Sequence, residues 1–461
     1  MASRPRPFST RFGVLVGINP AARPGKIIVI DDDPTGSQTV HSCLLLTRWD
    51  PDTLREALED AAPLFFVLSN TRGMTAARAE QVTREICRNL HSALERLALT
   101  GQEVQPLLVS RSDSTLRGHY PVETDVIAEE LGPFDAHFLV PAFFEGGRIT
   151  RDSTHYVIQN GVEVPAHETE FARDSVFAFQ HSYLPDYVAE KTHGRIPAEQ
   201  VQRFTLEDLR AGCLPRLLAL ENNACVVVDA VEPADLQAFA RDLRAAAGQG
   251  KRFLFRSAAS LLTALADLPP QPVSAENMVQ LRRGDKAGAI LVGSHVRKST
   301  EQLKRLLEEP GLEGLEVDVD ACSGEAGIRQ LSRLLEQAAK IHDQGRDLVI
   351  FTSRSERQFS DQAARLAFGE SVSAFLMKVL QGLPEDIGFL ISKGGITSND
   401  VLSSGLALRK ARVMGQILPG CSVVCCPPDH PRYPDLPVVI FPGNVGDVES
   451  LAVARQRLRG H

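Results

Sequence analysis

Short apolar runs rich in β-branched and aromatic residues recur along this chain, each opening into a polar or glycine-rich loop before a stretch with helical apolar spacing begins. Residues 27–30, 44–47 and 64–69 read as buried strands, and residues 51–61 and 75–99 carry the helical pattern. Strands that alternate with helices pair in parallel, so the class is α/β. The rhythm continues with strands at 107 onward and 137–140, and returns between 205 and 265 with strands at 225–229 and 251–255.

At 461 residues the chain exceeds what one hydrophobic core usually supports. Residues 267–285, DLPPQPVSAENMVQLRRGD, are proline-rich, polar and without periodicity, so they read as a linker and hinge. Residues 1–266 then form a first domain and 286–461 a second, each with a mostly parallel sheet. Residues 1–24 read as a disordered lead-in, because MASRPRPFSTRFG is basic but lacks the apolar core of a secretory signal. Strands of the second domain are expected at 288–292, 315–319, 347–352, 387–392, 422–425 and 438–441. Within the first domain, Asn160-Gly161 lies between alternating residues at 156–164, which predicts a β-hairpin insertion, followed by an irregular segment at 167–174.

The loops at the strand ends carry the chemistry. Three adjacent carboxylates, Asp31, Asp32 and Asp33, follow the first strand, and Pro34 and Gly36 bar regular continuation of the backbone. Adjacent carboxylates repel, and a fold tolerates that when a cation, a proton or a donor-rich ligand offsets it; the alternative is a solvated acidic turn. Arg72 follows the strand at 64, and Arg111, Ser112, Asp113, Ser114, Thr115 and Arg117 follow the strand at 107. The carboxyl ends of parallel strands converge on one crevice. Forked guanidinium donors suit a carboxylate or phosphate, while aspartates and hydroxyls suit a polyol, so the set fits a small polyhydroxy acid.

In the second domain three strands empty into loops of small residues: Gly293-Ser294-His295, then Lys393-Gly394-Gly395-Ile396-Thr397-Ser398, then Pro442-Gly443-Asn444-Val445-Gly446-Asp447. Loops without Cβ atoms let backbone N–H groups approach phosphate oxygens, which predicts a nucleotide site even though the common P-loop and dinucleotide fingerprints are absent. A net charge of −8 argues against nucleic acid as a partner. No stretch is apolar enough for a membrane span, and the expected location is the cytoplasm. The eight cysteines form neither a zinc pattern nor a CxxC pair and read as buried thiols.

These segments together resemble the four-carbon acid sugar kinase family, over nearly the whole chain. The likeness is carried by DDDPTG at 31–36, SDSTLRGH at 112–119, PAFFEGGR at 141–148, HETEFARD at 167–174, SKGGITSNDV at 392–401 and FPGNVGD at 441–447. Ser37 stands where many members have alanine. The resemblance implies a kinase that binds a four-carbon sugar acid in its N-terminal domain and ATP in its C-terminal domain, passing phosphate to the terminal hydroxyl. By that likeness Asp32, Asp33, Arg72, Arg111, Ser112, Asp113 and Ser114 belong to the substrate site. Ser294, Gly394, Gly395, Ile396, Thr397, Gly443 and Asn444 belong to the ATP site.

For the chemistry, either Asp33 or Asp113 is expected to orient and deprotonate the hydroxyl, with Arg72, Arg111 and Arg117 on the carboxylate and Mg²⁺ entering with ATP. Metal ligands and oligomeric state are not read from the sequence, a homo-oligomer remaining open. A rival reading is a haloacid-dehalogenase-like phosphatase using Asp31, Asp33, Thr35 and Ser69, but it lacks the late acidic metal motif. A sugar-acid-binding protein without catalysis is the third class.

Overall fold

The fold is described from a computed structural model covering residues 25–102, 104–354 and 362–460, with the side chains of 362–366 excepted. The chain falls into two compact units that succeed one another at Pro270 and Gln271.

The first unit contains strands β1 (Ile27–Asp31), β2 (Leu44–Leu46), β3 (Leu64–Leu68), β4 (Leu107–Arg111) and β5 (Ala136–Val140). It continues with β6 (Arg148–Arg151), β7 (Thr154–Gln159), β8 (Val162–Pro165), β9 (Gln202–Phe204), β10 (Ala224–Val228) and β11 (Phe253–Ser257). Its main sheet runs β2-β3-β1-β4-β11-β5-β10-β9, and every pairing in it is parallel. The inner strands IIVID and LFFVL are buried at every position, which is why they lack polar alternation. The helix Ala76–Leu99 starts at Thr75, whose hydroxyl caps the Arg78 N–H, and it turns Val82, Ile86, Leu90 and Leu97 toward the sheet. Those side chains share a core with Ile28, Ile30, Phe65, Val67 and Leu108. Each such burial contributes roughly 1.5–3 kcal/mol, so this helix anchors one face of the strands whose ends carry the polar loops.

The expected β-hairpin insertion is β7-β8, and β6 extends it to a three-stranded antiparallel sheet. The Asn160-Gly161 turn is as expected, with both residues at positive φ. Residues 167–174 are less irregular than their sequence suggests and fall largely into two 3₁₀ turns, Ala166–Glu168 and Glu170–Arg173.

The second unit contains β12 (Ala289–Val292), β13 (Leu312–Val317), β14 (Asp347–Thr352), β15 (Leu390–Lys393), β16 (Lys410–Leu418), β17 (Cys421–Cys425) and β18 (Pro437–Phe441). Their order is β13-β14-β12-β15-β18-β17-β16, parallel as far as β18 and antiparallel beyond it. The α/β class with mostly parallel sheets thus holds in both units. One correction concerns the linker: within 267–285, residues Ala275–Leu281 form a 3₁₀ segment, and Met278 and Leu281 are buried in the core of the second unit. Two apolar side chains three residues apart secure that turn against the sheet despite the surrounding prolines. All but Cys322 of the cysteines are buried. No helix among the described residues is long and apolar enough to cross a membrane.

Candidate active site

In the first unit the register sets Asp31 opposite Leu68 on one side and Arg111 on the other, and Arg111 opposite Ser257. Four strands therefore release their loops at one level. The backbone continues this alignment: Asp32 N–H donates to Arg111 O at 3.3 Å, Ser69 N–H to Asp31 O at 2.9 Å and Ser112 N–H to Ser257 O at 2.8 Å. Asn70 takes a left-handed conformation, and the turn Thr71–Gly73 brings Arg72 back over the acidic loop, with its N–H on Asp32 O.

The side chains interlock as ion pairs. Arg72 grips Asp32 through Nη2 at 2.5 Å and Nε at 3.2 Å, reaches Asp33 with Nη1 at 3.3 Å and lies 3.9 Å from Asp113. Arg111 Nη1 lies 3.3 Å from Asp31 and 3.8 Å from Asp32. Arg117 Nε donates to Asp113 at 2.7 Å, and its Nη1 is 3.6 Å from Asp174. Thr35 and Thr115 donate hydroxyls to Asp33 and Asp113 respectively. Sequence-predicted Asp32, Asp33, Arg72, Arg111, Asp113 and Arg117 thus come together. Ser112 and Ser114 flank them on the same loop, both buried.

Burial and pairing pull the carboxylates apart in acidity. Burial is the largest single influence and raises Asp33 and Asp113, but Arg72 together with Arg111 and Thr35 at Asp33, and together with Arg117 and Thr115 at Asp113, more than offsets it. Both therefore stay below their ordinary value and ionised at neutral pH. Asp31 is 0% exposed and has one oxygen without a hydrogen-bond partner; burial lifts it to about 7 despite Arg111. A Cβ on Gly36 would lie 1.8 Å from that oxygen, so the loop closes directly on Asp31 and only glycine fits.

Three further groups escape a reading of strand ends alone. Arg256, within β11, pairs with Glu123 and donates to Ser110 at 2.7 Å, while Thr71 holds the other Glu123 oxygen at 2.5 Å. Gly118, at φ +123°, presses on this group: a Cβ there would meet Arg256 Nη2 at 2.5 Å and Asp32 at 3.2 Å. The insertion and the later helix Leu184–Lys191 support the 112–118 loop, His155 Nε2–H of β7 donating to Ser114 O and Tyr187 O–H of that helix to Leu116 O, both at 2.8 Å. Arg148, first residue of β6, and Arg117 both lean on the Phe171 ring. Arg148 comes from a glycine-rich turn that composition marks as a loop and nothing more.

In the second unit Val292 is opposite Lys393, and Lys393 opposite Phe441, so the three small-residue loops leave the sheet side by side. They touch closely. A Cβ on Gly293 would lie 2.2 Å from Thr397 Oγ1, one on Gly394 (φ +121°) 3.0 Å from Ser294 Cβ, and one on Gly443 3.1 Å from Ser294 Oγ. Ser299 joins the first and third loops, donating its hydroxyl to Gly443 O at 2.9 Å and accepting from the Ser294 hydroxyl at 3.0 Å. Lys393 is fully buried beneath them: Nζ donates to Pro442 O at 2.5 Å, reaches Gly443 O at 3.3 Å and stacks 4.1 Å over the Phe441 ring. Burial lowers it to about 7, with Lys298 adding to the effect and Cys421 opposing it. Its amine ties two loops together from inside. Gly395, Ile396 and Thr397 open the short helix Gly395–Asp400, with Ile396 and Asn444 exposed. Arg354, just past β14, donates to Ser294 O and Val292 O, and pairs with no carboxylate among the described residues. The described residues hold no group of three or more His, Cys, Asp or Glu arranged for a metal ion.

Residues 27–265 match a sugar-binding N-terminal domain family and residues 289–451 a nucleotide-binding C-terminal domain family. A D-threonate kinase of Salmonella typhimurium is 28% identical over 445 residues, covering 93% of this chain and 97% of the relative. A D-erythronate kinase of Heliobacterium modesticaldum is 28% identical over 225 residues, 46% of this chain and 47% of that protein. Among solved structures, a Salmonella typhimurium LT2 protein superposes with TM-score 0.66 at 18% identity over 93% of this chain and 98% of its own. A Haemophilus influenzae protein gives TM-score 0.62 at 17% identity over 94% and 100%. At those identities the structural likeness speaks for the fold.

Proposed function

The chain belongs to the four-carbon acid sugar kinase family, and from that premise we propose that it transfers the γ-phosphoryl group of ATP to the terminal hydroxyl of a four-carbon sugar acid of the threonate, erythronate or 3-oxo-tetronate class. The observation that carries the reading is the pair Asp33 and Asp113, two ionised carboxylates held by one arginine at the ends of neighbouring loops. Ionised carboxylates accept hydrogen bonds from hydroxyls, and phosphoryl transfer through a loose transition state asks mainly for an oriented hydroxyl. Asp33 and Asp113 would supply that orientation, and either would take the proton as the bond to phosphorus forms. Asp31, Asp32, Asp33 and Asp113 each have a guanidinium within 4 Å, so we take Mg²⁺ to arrive with ATP as its complex. The loops at Ser294, Gly394 and Gly443 would receive the phosphates through backbone N–H groups, with Arg354 at their edge.

A phosphatase working through Asp31 does not suit this geometry. That carboxyl is enclosed by Gly36 and Arg111, which leaves no line of approach to a phosphorus atom. The decisive test is ADP release with Mg²⁺ and ATP across threonate, erythronate and 3-oxo-tetronate. At least one acid should raise the rate far above the acid-free background. Tight binding of an acid with no ADP release would replace the kinase reading with that of a sugar-acid-binding protein.

A further inference from the structure

Four guanidiniums of the sugar-binding unit are already committed to carboxylates: Arg72 to Asp32 and Asp33, Arg111 to Asp31, Arg117 to Asp113 and Asp174, and Arg256 to Glu123. A substrate carboxylate approaching any of these must compete with an aspartate or glutamate that is covalently tethered in place. Arg148 differs. It makes no ion pair among the described residues, its Nη1 donates only to the Gly146 carbonyl, and its Nε is buried with no acceptor.

Its position is fixed on three sides. Backbone bonds in both directions between Phe143 and Arg148, each 2.9 Å, close the turn that presents it. Its Cζ lies 5.9 Å from the Phe171 ring centroid, and Arg117 Cζ lies 5.1 Å from the same ring. Burial disfavours the charge on Arg148 most, Asp113 and Glu170 favour it and Arg117 opposes it. Arg148 is half-buried beside a second cation, and Asp113, the carboxylate that favours its charge, is already engaged by Arg72 and Arg117 and makes no ion pair with it among the described residues. Turn closure needs one of its N–H groups and leaves the fork unfilled, and a planar fork matches a carboxylate through two parallel bonds.

We propose that Arg148 receives the carboxylate of the substrate and so selects acids over neutral polyols, leaving Asp33 and Asp113 to take the hydroxyls. The inference rests on the sugar-acid reading above. It assigns the acid-recognising role to the insertion rather than to the strand-end arginines.

The test compares wild type with Arg148→Met and Arg148→Lys, using threonate and erythronate and their neutral counterparts threitol and erythritol. For the acid, Arg148→Met should raise KM roughly ten- to a hundredfold with kcat changed less than about twofold, and Arg148→Lys should fall between. Turnover or binding of the tetritols should not change. Calorimetric binding of the acids without ATP runs in parallel. If wild type binds an acid but releases no ADP, the kinase reading fails while the binding comparison still judges Arg148. An unchanged acid KM and Kd in Arg148→Met overturns the proposal, as does an equal loss for acid and tetritol, or no binding of any four-carbon acid by wild type.

Discussion

In the sugar-binding unit the strand ends carry Asp31, Asp32, Asp33, Arg72, Arg111, Asp113 and Arg117, charged side chains that neutralise one another. In the nucleotide-binding unit the equivalent ends carry Gly293, Gly394 and Gly443, and Lys393 between them is turned inward on backbone carbonyls. The same kind of strand end thus carries a cluster built from side-chain charge in one unit and from backbone shape in the other. A small acid bearing several hydroxyls is told from its relatives by where each donor and acceptor lies. A polyphosphate needs many N–H groups at close range, which a Cβ would obstruct. Substitutions should therefore fail in different ways in the two units.

The largest effect should come from breaking the charge lattice. Arg72→Met removes the shared partner of Asp32, Asp33 and Asp113, and stranding buried carboxylates in this way costs roughly 3–5 kcal/mol. Urea denaturation should show that loss, and ADP release with any four-carbon acid should disappear. Retention of stability would mean the lattice is solvated and the contrast between the units is overstated. Next in size is Gly394→Val, which forces a branched side chain to φ +121° beside Ser294 and costs about 1–3 kcal/mol of local strain. It should raise KM for ATP about tenfold or more while sparing KM for the acid. Equal changes in both would mark general misfolding rather than a shaped phosphate cradle.

How far this contrast was legible depended on where each residue falls. Strand β14 occupies the residues its apolar run predicts, and the acidic and glycine loops could be read because each follows such a run directly. Strand β16 was not anticipated although its period-2 signal is present: Ala411, Val413 and Ile417 are buried in alternation with half-buried neighbours. Lys410 and Arg412 masked it. Strand β9 has two exposed residues out of its three and carried no such signal. In the site, Glu123 and Arg256 were missed because they lie inside a helix and a strand, where a charge reads as an interruption of the element. Nor does spacing reveal which arginine meets which aspartate. That pairing, set by register and by the turn at Asn70, is what separates Arg148 from the rest.

The smallest expected effect sharpens the comparison through proton binding. Asp31 and Lys393 are both fully buried and both shifted to about 7, one upward from 3.8 and the other downward from 10.5. Asp31 faces Arg111, Asp32 and Asp33; Lys393 faces Lys298 and Cys421. Between its unfolded value and about 7, Asp31 keeps a proton in the native state that the unfolded chain has released. Its contribution to stability is therefore lost as pH rises through that window. For Lys393 the unfolded chain holds the extra proton between about 7 and its ordinary value, so stability grows as pH rises there. Neither slope can exceed about 1.4 kcal/mol per pH unit. Melting curves of wild type against Asp31→Asn should show wild type losing ground from about pH 5 to 7, and against Lys393→Met gaining ground from about pH 7.5 to 9.5. Parallel curves for both pairs would mean that water reaches these side chains, and with it that neither unit buries the charge on which its contrast with the other depends.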